Sequence, residues 1–467
     1  MLIGRNAEQK TLLSLLDKEE PQFCVVYGRR RVGKTYLVRE TFHYQFTFHH
    51  TGVASGNYRE QLRAFRDSLF AAGMSKGALP KNWFEAFDLL KQHLTQAPEG
   101  KKVIFIDELP WMETPKSNLI GALEYFWNGW ATCRPEKDIV LIVCGSASSW
   151  ITQHLLKDYQ GLRGRITEKI KVNPFTLAEC EQYAGMAGLA MGRRELLESY
   201  MILGGIPYYW SYLKRGYSVC QNIDRLFFSE NAPLKDEFQA LYHTLFRSPE
   251  NYLKVIEALT RRQTGMTREE LIQQTKLKDG GTFSKILEEL EECGFVRQYV
   301  PYGKNSRQTL YQLLDSYTLF YYHCIKKNAF SDEQYWSHTY LTGAHYAWRG
   351  MAFERVCLQH VIQIKRALGI SGMVSNICSW RGKDAQIDLL IARGDNLINI
   401  CEMKFCNEPF VIDKAYSDNL RHKMEAFRQA TATRSTLHLT MITPQGVAHN
   451  SYWNQVQSEV TADGLFL

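Results

Sequence analysis

The chain has 467 residues, 45% of them hydrophobic and 22% charged, with a formal net charge of +7. That length exceeds one ordinary hydrophobic core and predicts several domains. No run approaches the roughly eighteen apolar residues of a membrane span, and the opening MLIGRNAEQKTLL lacks the basic-then-apolar layout of a signal peptide, so a cytoplasmic protein without a membrane partner is expected. Eleven cysteines without a C-x-x-C pair read as reduced thiols rather than disulfides or zinc ligands. The basic excess permits nucleic-acid binding but is equally a solvated surface.

In chain order, the first element is an apolar strand, Phe23 to Tyr27, followed by Gly28-Arg29-Arg30-Arg31-Val32-Gly33-Lys34-Thr35 and then a helix beginning near Tyr36. The spacing fits G-x-x-x-x-G-K-[ST], and strand, glycine loop and helix are the setting a phosphate-binding loop requires. Backbone N–H groups and the helix N-terminus face an anion, and Gly28 and Gly33 let the main chain approach it. Lys34 is expected on the terminal phosphates and the Thr35 hydroxyl on Mg2+. The three arginines do not count against the loop, because main-chain N–H groups do the cradling. They read either as partners of acids elsewhere or as solvated charge.

A second strand, in KKVIFIDELPWM, ends at Asp107-Glu108. Asp107 is expected in the Mg2+ shell, and Glu108 on the attacking water. The third, Ile139 to Cys144, runs into Gly145-Ser146-Ala147-Ser148-Ser149, where Ser146 is the candidate γ-phosphate sensor and a turn serine the plain alternative. Three apolar strands separated by helical stretches predict a doubly wound α/β core with ligands at the strands' C-terminal ends.

Ile3-Gly4-Arg5 with Glu8, GRRRVGKT, IDELPW and GSASS, in this order, resemble the archaeal-type ATPases of the AAA+/STAND P-loop group. The resemblance implies ATP as the nucleotide, with Lys34 and Thr35 on phosphate and Mg2+ and Asp107 and Glu108 as the Walker B pair. It also implies a sensing or finger arginine within Gly161-Leu162-Arg163-Gly164-Arg165, Arg165 matching better. Gly204-Gly205-Ile206-Pro207 matches the element that packs near base and sugar in that group, Pro207 being otherwise a helix-ending turn. A homo-oligomer is plausible, since such ATPases often complete their site with a neighbour's arginine.

From Leu177 to about Gln239 the pattern is helical and suggests a lid. Tyr252 to Leu259 reads as one helix, Thr267-Arg268-Glu269-Glu270 as a capping box opening a second, and Phe283 to Leu290 as a third. Two β-like stretches, 295–300 and 308–313, flank the basic turn Gly303-Lys304-Asn305-Ser306-Arg307. Three helices and a hairpin predict a winged helix-turn-helix. Its third helix carries Lys285 among Glu288, Glu289, Glu291 and Glu292, which disfavours base reading.

The last segment reads as a helix over 346–366 with Glu354 near its start, then strands around 376–380, 385–391 and 397–405. Asp388 lies on the middle strand, and Glu402-Met403-Lys404 on its hairpin partner. Residues i and i+2 share a strand face, so Glu402 and Lys404 project together, with Asp388 across from them. Asp388 and Glu402, completed by Glu354, form an oxygen-ligand set for one or two Mg2+ (Mn2+ being an alternative), with Lys404 beside the attacking water. This resembles the PD-(D/E)XK nuclease superfamily, in the restriction-endonuclease-like form found fused to archaeal-type ATPases, although Ile387 replaces the proline before the first acid.

The expected fold class is therefore α/β: a P-loop NTPase core over 1–172, a helical lid over 173–240, a winged helix-turn-helix over 241–328 and a restriction-endonuclease-like α/β domain over 329–467. The expected function is an ATPase whose nucleotide state gates a metal-dependent phosphodiesterase acting on nucleic acid, DNA before RNA. The alternative is a STAND-type oligomerising switch whose C-terminal domain only binds.

Overall fold

A computed structural model describes residues 2–146, 148–157, 162, 164–246, 248–328 and 332–467. The chain divides into two compact units, Met1–Pro174 and Phe175–Leu467.

The first unit is built on a five-stranded parallel sheet. Its strands are β1 (Gln22–Tyr27), β2 (Phe48–Thr51), β3 (Lys102–Asp107), β4 (Ile139–Gly145) and β5 (Glu168–Lys171), in the order β2-β3-β4-β1-β5. The sequence reading had three of these strands; the four-residue β2 and β5 carry His49, Glu168, Lys169 and Lys171 and give no apolar run. β3 and β4 are buried along their whole length, as expected for parallel strands covered on both faces. On one face Phe23, Ile104, Ile106 and Leu141 join Trp83, Phe87, Leu123 and Trp127 from the flanking helices. Parallel strands put their C-terminal ends on one edge, so the segments after β1, β3 and β4 emerge together.

The second unit opens with helices Leu177–Met186, Arg193–Leu203 and Glu237–Leu245, joined by shorter turns. Next come helix Glu250–Thr260, β6 (Met266–Thr267), helices Arg268–Thr275 and Gly281–Glu292, β7 (Val296–Tyr299) and β8 (Leu310–Leu313), with the sheet ordered β6-β8-β7. The capping box forms: the Glu270 N–H donates to Thr267 Oγ1, and the Thr267 N–H donates to Glu270 Oε2. Two-residue β6 is too short to have a readable period.

The C-terminal segment contributes helices Gly343–Gln359 and Val361–Ala367, then β9 (Ser375–Arg381), β10 (Gln386–Arg393), β11 (Leu397–Met403), helix Lys414–Thr431, β12 (Thr436–Ile442) and β13 (Ser458–Val460). Strands β9, β10 and β11 form an antiparallel meander; β12 returns parallel to β11 after the helix, giving the order β13-β12-β11-β10-β9. The single helix expected over 346–366 is two helices meeting at His360. The His360 Nδ1–H donates to Val356 O, and its Nε2 accepts from the Leu177 N–H. All eleven cysteines are free thiols, and among the described residues no helix is long and apolar enough to cross a membrane.

Candidate functional sites

The glycine loop leaves β1 and turns directly into helix Lys34–Thr41. Gly28 has φ 146°, and a Cβ there would lie 2.3 Å from Val172 O. Only glycine meets both demands, because the Val172 N–H donates to Tyr27 O and holds that backbone in place. Gly33, at φ 91°, needs its freedom only for conformation, since nothing lies within 4 Å of its Cβ position. Val32 is buried and anchors the loop; Arg29 is buried too, and Arg31 takes φ 69°.

Lys34 is 5% exposed, and its ammonium donates to Gly28 O and Arg29 O at 3.0 and 2.9 Å. The Thr35 hydroxyl donates to Asp107 Oδ1 at 3.1 Å, so the loop and the end of β3 meet at one pair of oxygens. Asp107 also accepts from the Glu108 N–H at 3.0 Å. A hydroxyl beside a carboxylate at a helix N-terminus is a hard-oxygen donor pair that fits Mg2+.

Glu108 takes a left-handed conformation, φ 49° and ψ 45°, which turns its side chain toward β4. Its Oε2 accepts from both the N–H and the hydroxyl of Ser146, at 3.0 and 2.8 Å. Burial raises the Glu108 pKa, against the opposing pull of Lys34 and the Ser146 N–H. Ser146, the candidate γ-phosphate sensor, thus donates to Glu108 through both its N–H and its hydroxyl. Of the arginine stretch, Gly161 and Arg163 lie outside the described residues, as does Ala147 of the serine loop, and Arg165 is exposed. Pro207 belongs to the second unit, where it opens the four-residue helix Pro207–Trp210. The preceding glycine has a packing reason of its own: a Cβ on Gly205 would lie 1.9 Å from Phe175 O.

The second site gathers at the end of the β10–β11 hairpin. The β10–β11 ladder ends at the pair Leu389 and Cys401, and β10 shifts register against β9 between Ile387 and Leu390. A bulge re-aims the side chains it contains, and Asp388 lies in it, within the electrostatic reach of Arg297, Arg355 and Glu354. Glu354, on helix Gly343–Gln359, has its pKa raised to about 7 by burial and then by Asp388. Gln386 donates to Asp388 Oδ1 at 2.5 Å.

Glu402 departs from the expected role. It is buried, and its Oε1 accepts from Tyr416 at 2.6 Å and lies 3.3 Å from Lys404 Nζ. Its Oε2 accepts from Lys423 at 2.8 Å. Burial alone would raise its pKa, but Lys423 and Lys404, followed by hydrogen bonds from Lys423 and Tyr416, bring it below the usual range. Among the described residues, no three His, Cys, Asp or Glu side chains are grouped to hold a metal ion. Glu354 and Asp388 lie within electrostatic reach of each other, while Glu402 is engaged with two lysines and a tyrosine. Tyr416 and Lys423, on helix Lys414–Thr431, are the residues that sequence spacing missed.

The turn between β7 and β8 contacts the C-terminal sheet and helix Lys414–Thr431. The Tyr302 N–H donates to Ser379 O at 2.8 Å, and its ring packs 5.1 Å from Phe427. Arg355 donates to Gln263 O at 2.6 Å.

Residues 2–213 match a family model described as an ATPase domain predominantly from Archaea. The chain is 24% identical over 399 residues, 85% of each chain, to an uncharacterized protein of Methanocaldococcus jannaschii. Among solved structures it is similar to the Walker-type ATPase of Pyrococcus abyssi, at 16% identity over 68% of this chain and 95% of that one, with a TM-score of 0.48. It is also similar to the ORC2 protein of Aeropyrum pernix, at 13% identity over 73% and 96%, with a TM-score of 0.44. The ATPase assignment rests on the family model and the loop geometry.

Proposed function

We propose that this chain binds and hydrolyses ATP, and that its nucleotide state gates a phosphodiesterase in the C-terminal domain. The observation that carries the first part is the Thr35–Asp107 contact, which sets the helix N-terminus and the end of β3 at one point. Mg2+ bound by that pair neutralises charge on the phosphates. The loop's N–H groups orient the triphosphate, Lys34 exchanges its two carbonyl partners for phosphate oxygen, and Glu108, released from Ser146, takes the proton of the attacking water.

In the C-terminal domain Glu354 and Asp388 are the acids offered to a divalent cation, Lys404 is assigned to the developing charge on the phosphate, and Lys423 and Tyr416 hold Glu402 ionised. A bound cation polarises phosphate and lowers the pKa of water. The segment 250–313 is read as a winged helix.

The direct test is full-length protein with plasmid and linear DNA in Mg2+ or Mn2+, with and without ATP. Cleavage abolished by Asp388→Ala, with ATP turnover kept, supports the reading; cleavage unchanged in that variant refutes the site. One observation favours a second reading, an ATP-driven switch whose C-terminal domain only binds: both Glu402 oxygens are taken by Tyr416 and Lys423. No cleavage under any metal, with assembly lost in Lys34→Ala, establishes that reading instead.

A further inference from the structure

A groove of about 190 Å³ runs between the winged segment and the C-terminal sheet, lined from one side by Arg262, Lys304 and Gln308 and from the other by Ser379, Arg381 and Gln386. We propose that it seats the phosphodiester backbone of a nucleic-acid strand on Arg262, Lys304 and Arg381 and leads that strand to Asp388.

Charge is the first argument. Three cations from three separate elements meet a single lining carboxylate, Glu270, which is already paired with Arg262. Lys304 and Arg381 are exposed, one on the turn after β7 and the other at the end of β9. Size and shape agree: the volume is below the roughly 300–1,000 Å³ of small-molecule pockets, and its exposed lips suit a chain passing through rather than an enclosed ligand.

Continuity is the second argument. Gln386 lines the groove and donates to Asp388 Oδ1, so one hydrogen bond links the lining to Asp388. Rigidity is the third. The wing turn is fastened to the sheet by the Tyr302–Ser379 hydrogen bond and the Tyr302–Phe427 ring contact, which fixes the spacing of Lys304 and Arg381. The helix Gly281–Glu292, where a winged helix would ordinarily read bases, exposes Lys285 beside Glu288 and offers a phosphate no comparable cluster. The groove therefore moves the expected contact from that helix to the wing and the sheet.

The inference rests on the nuclease reading of Asp388, and the experiment separates the two. Full-length protein carrying Asp388→Ala is titrated with labelled single-stranded and duplex oligonucleotides over a range of salt. Lys304→Glu and Arg381→Glu are expected to weaken binding about tenfold or more and to flatten the salt dependence by about one counterion each, whereas Lys285→Glu leaves it unchanged. Retained ATP turnover checks that each variant is folded. Unchanged affinity in both groove variants, an equal loss in Lys285→Glu, or displacement by millimolar inorganic phosphate alone overturns the groove. Groove-dependent binding without cleavage in any metal removes the nuclease reading and keeps the groove. Asp388-dependent cleavage indifferent to Lys304→Glu and Arg381→Glu does the reverse.

Discussion

Ser146 donates twice, from its N–H and its hydroxyl, to a single oxygen of Glu108, which parks the carboxylate expected to activate water. Both bonds favour the ionised acid, opposing the burial that raises its pKa. Ser146→Ala removes one of them, so the Glu108 pKa rises further and the acid limb of ATP turnover moves to higher pH. The move to higher pH is expected in a kcat/KM–pH profile, which reports the free enzyme in which Ser146 holds Glu108. An unmoved limb means that Glu108 does not limit turnover. Glu108→Gln should cut turnover about a hundredfold or more while ATP still binds.

The two loop glycines make different demands, and thermal melts can tell them apart. Gly33→Ala costs only the left-handed conformation, about 1–2 kcal/mol, because its Cβ position is open. Gly28→Ala adds a 2.3 Å approach to Val172 O, a backbone atom held by its own strand neighbour, and is expected to lower Tm by several degrees more. Equal Tm losses would contradict that packing.

The loop and the acid after β3 were legible in the sequence because backbone chemistry restricts them to particular residue types at fixed spacing. Asp388, Glu402 and Lys404 were legible as a set for the same reason, but not their relations. The bulge between Ile387 and Leu390 has no local signature, and Lys423 approaches Glu402 across 21 positions on an ordinary amphipathic helix. The capping box at Thr267 and the β7–β8 pairing were readable, whereas the docking of Tyr302 on Ser379 is a tertiary contact that no period announces.

Three buried histidines set an acid limit on stability. Burial holds His50 and His345 at about 3 and His360 at about 4, all below the ordinary value. The unfolded chain protonates them near pH 6.5, whereas the folded chain keeps them neutral. Their contribution is therefore full above about pH 6.5 and declines as pH falls toward 4, and for His360 it is on the order of 3 kcal/mol. Urea midpoints should fall steadily between pH 7 and 4, and less steeply in His360→Asn. A flat profile over that window would mean that these rings are not buried in solution.

Lys423 and Glu402 give the sharpest energetic test of the C-terminal domain. Glu402 is 6% exposed and carries its charge because Lys423, Lys404 and Tyr416 surround it. Lys423→Met deletes the 2.8 Å partner of Oε2. Breaking a buried pair outright costs about 3–5 kcal/mol, but Lys404 and Tyr416 remain, so the expected loss is nearer the roughly 1.5–3 kcal/mol of one charged hydrogen bond. Once Glu402→Gln has removed the carboxylate's charge, Lys423→Met should cost less than it does in the wild-type background, read in urea melts at pH 7. Strict additivity of the two substitutions would mean that the carboxylate and the ammonium do not interact, and the picture of Glu402 as a lysine-clamped acid would fall with it.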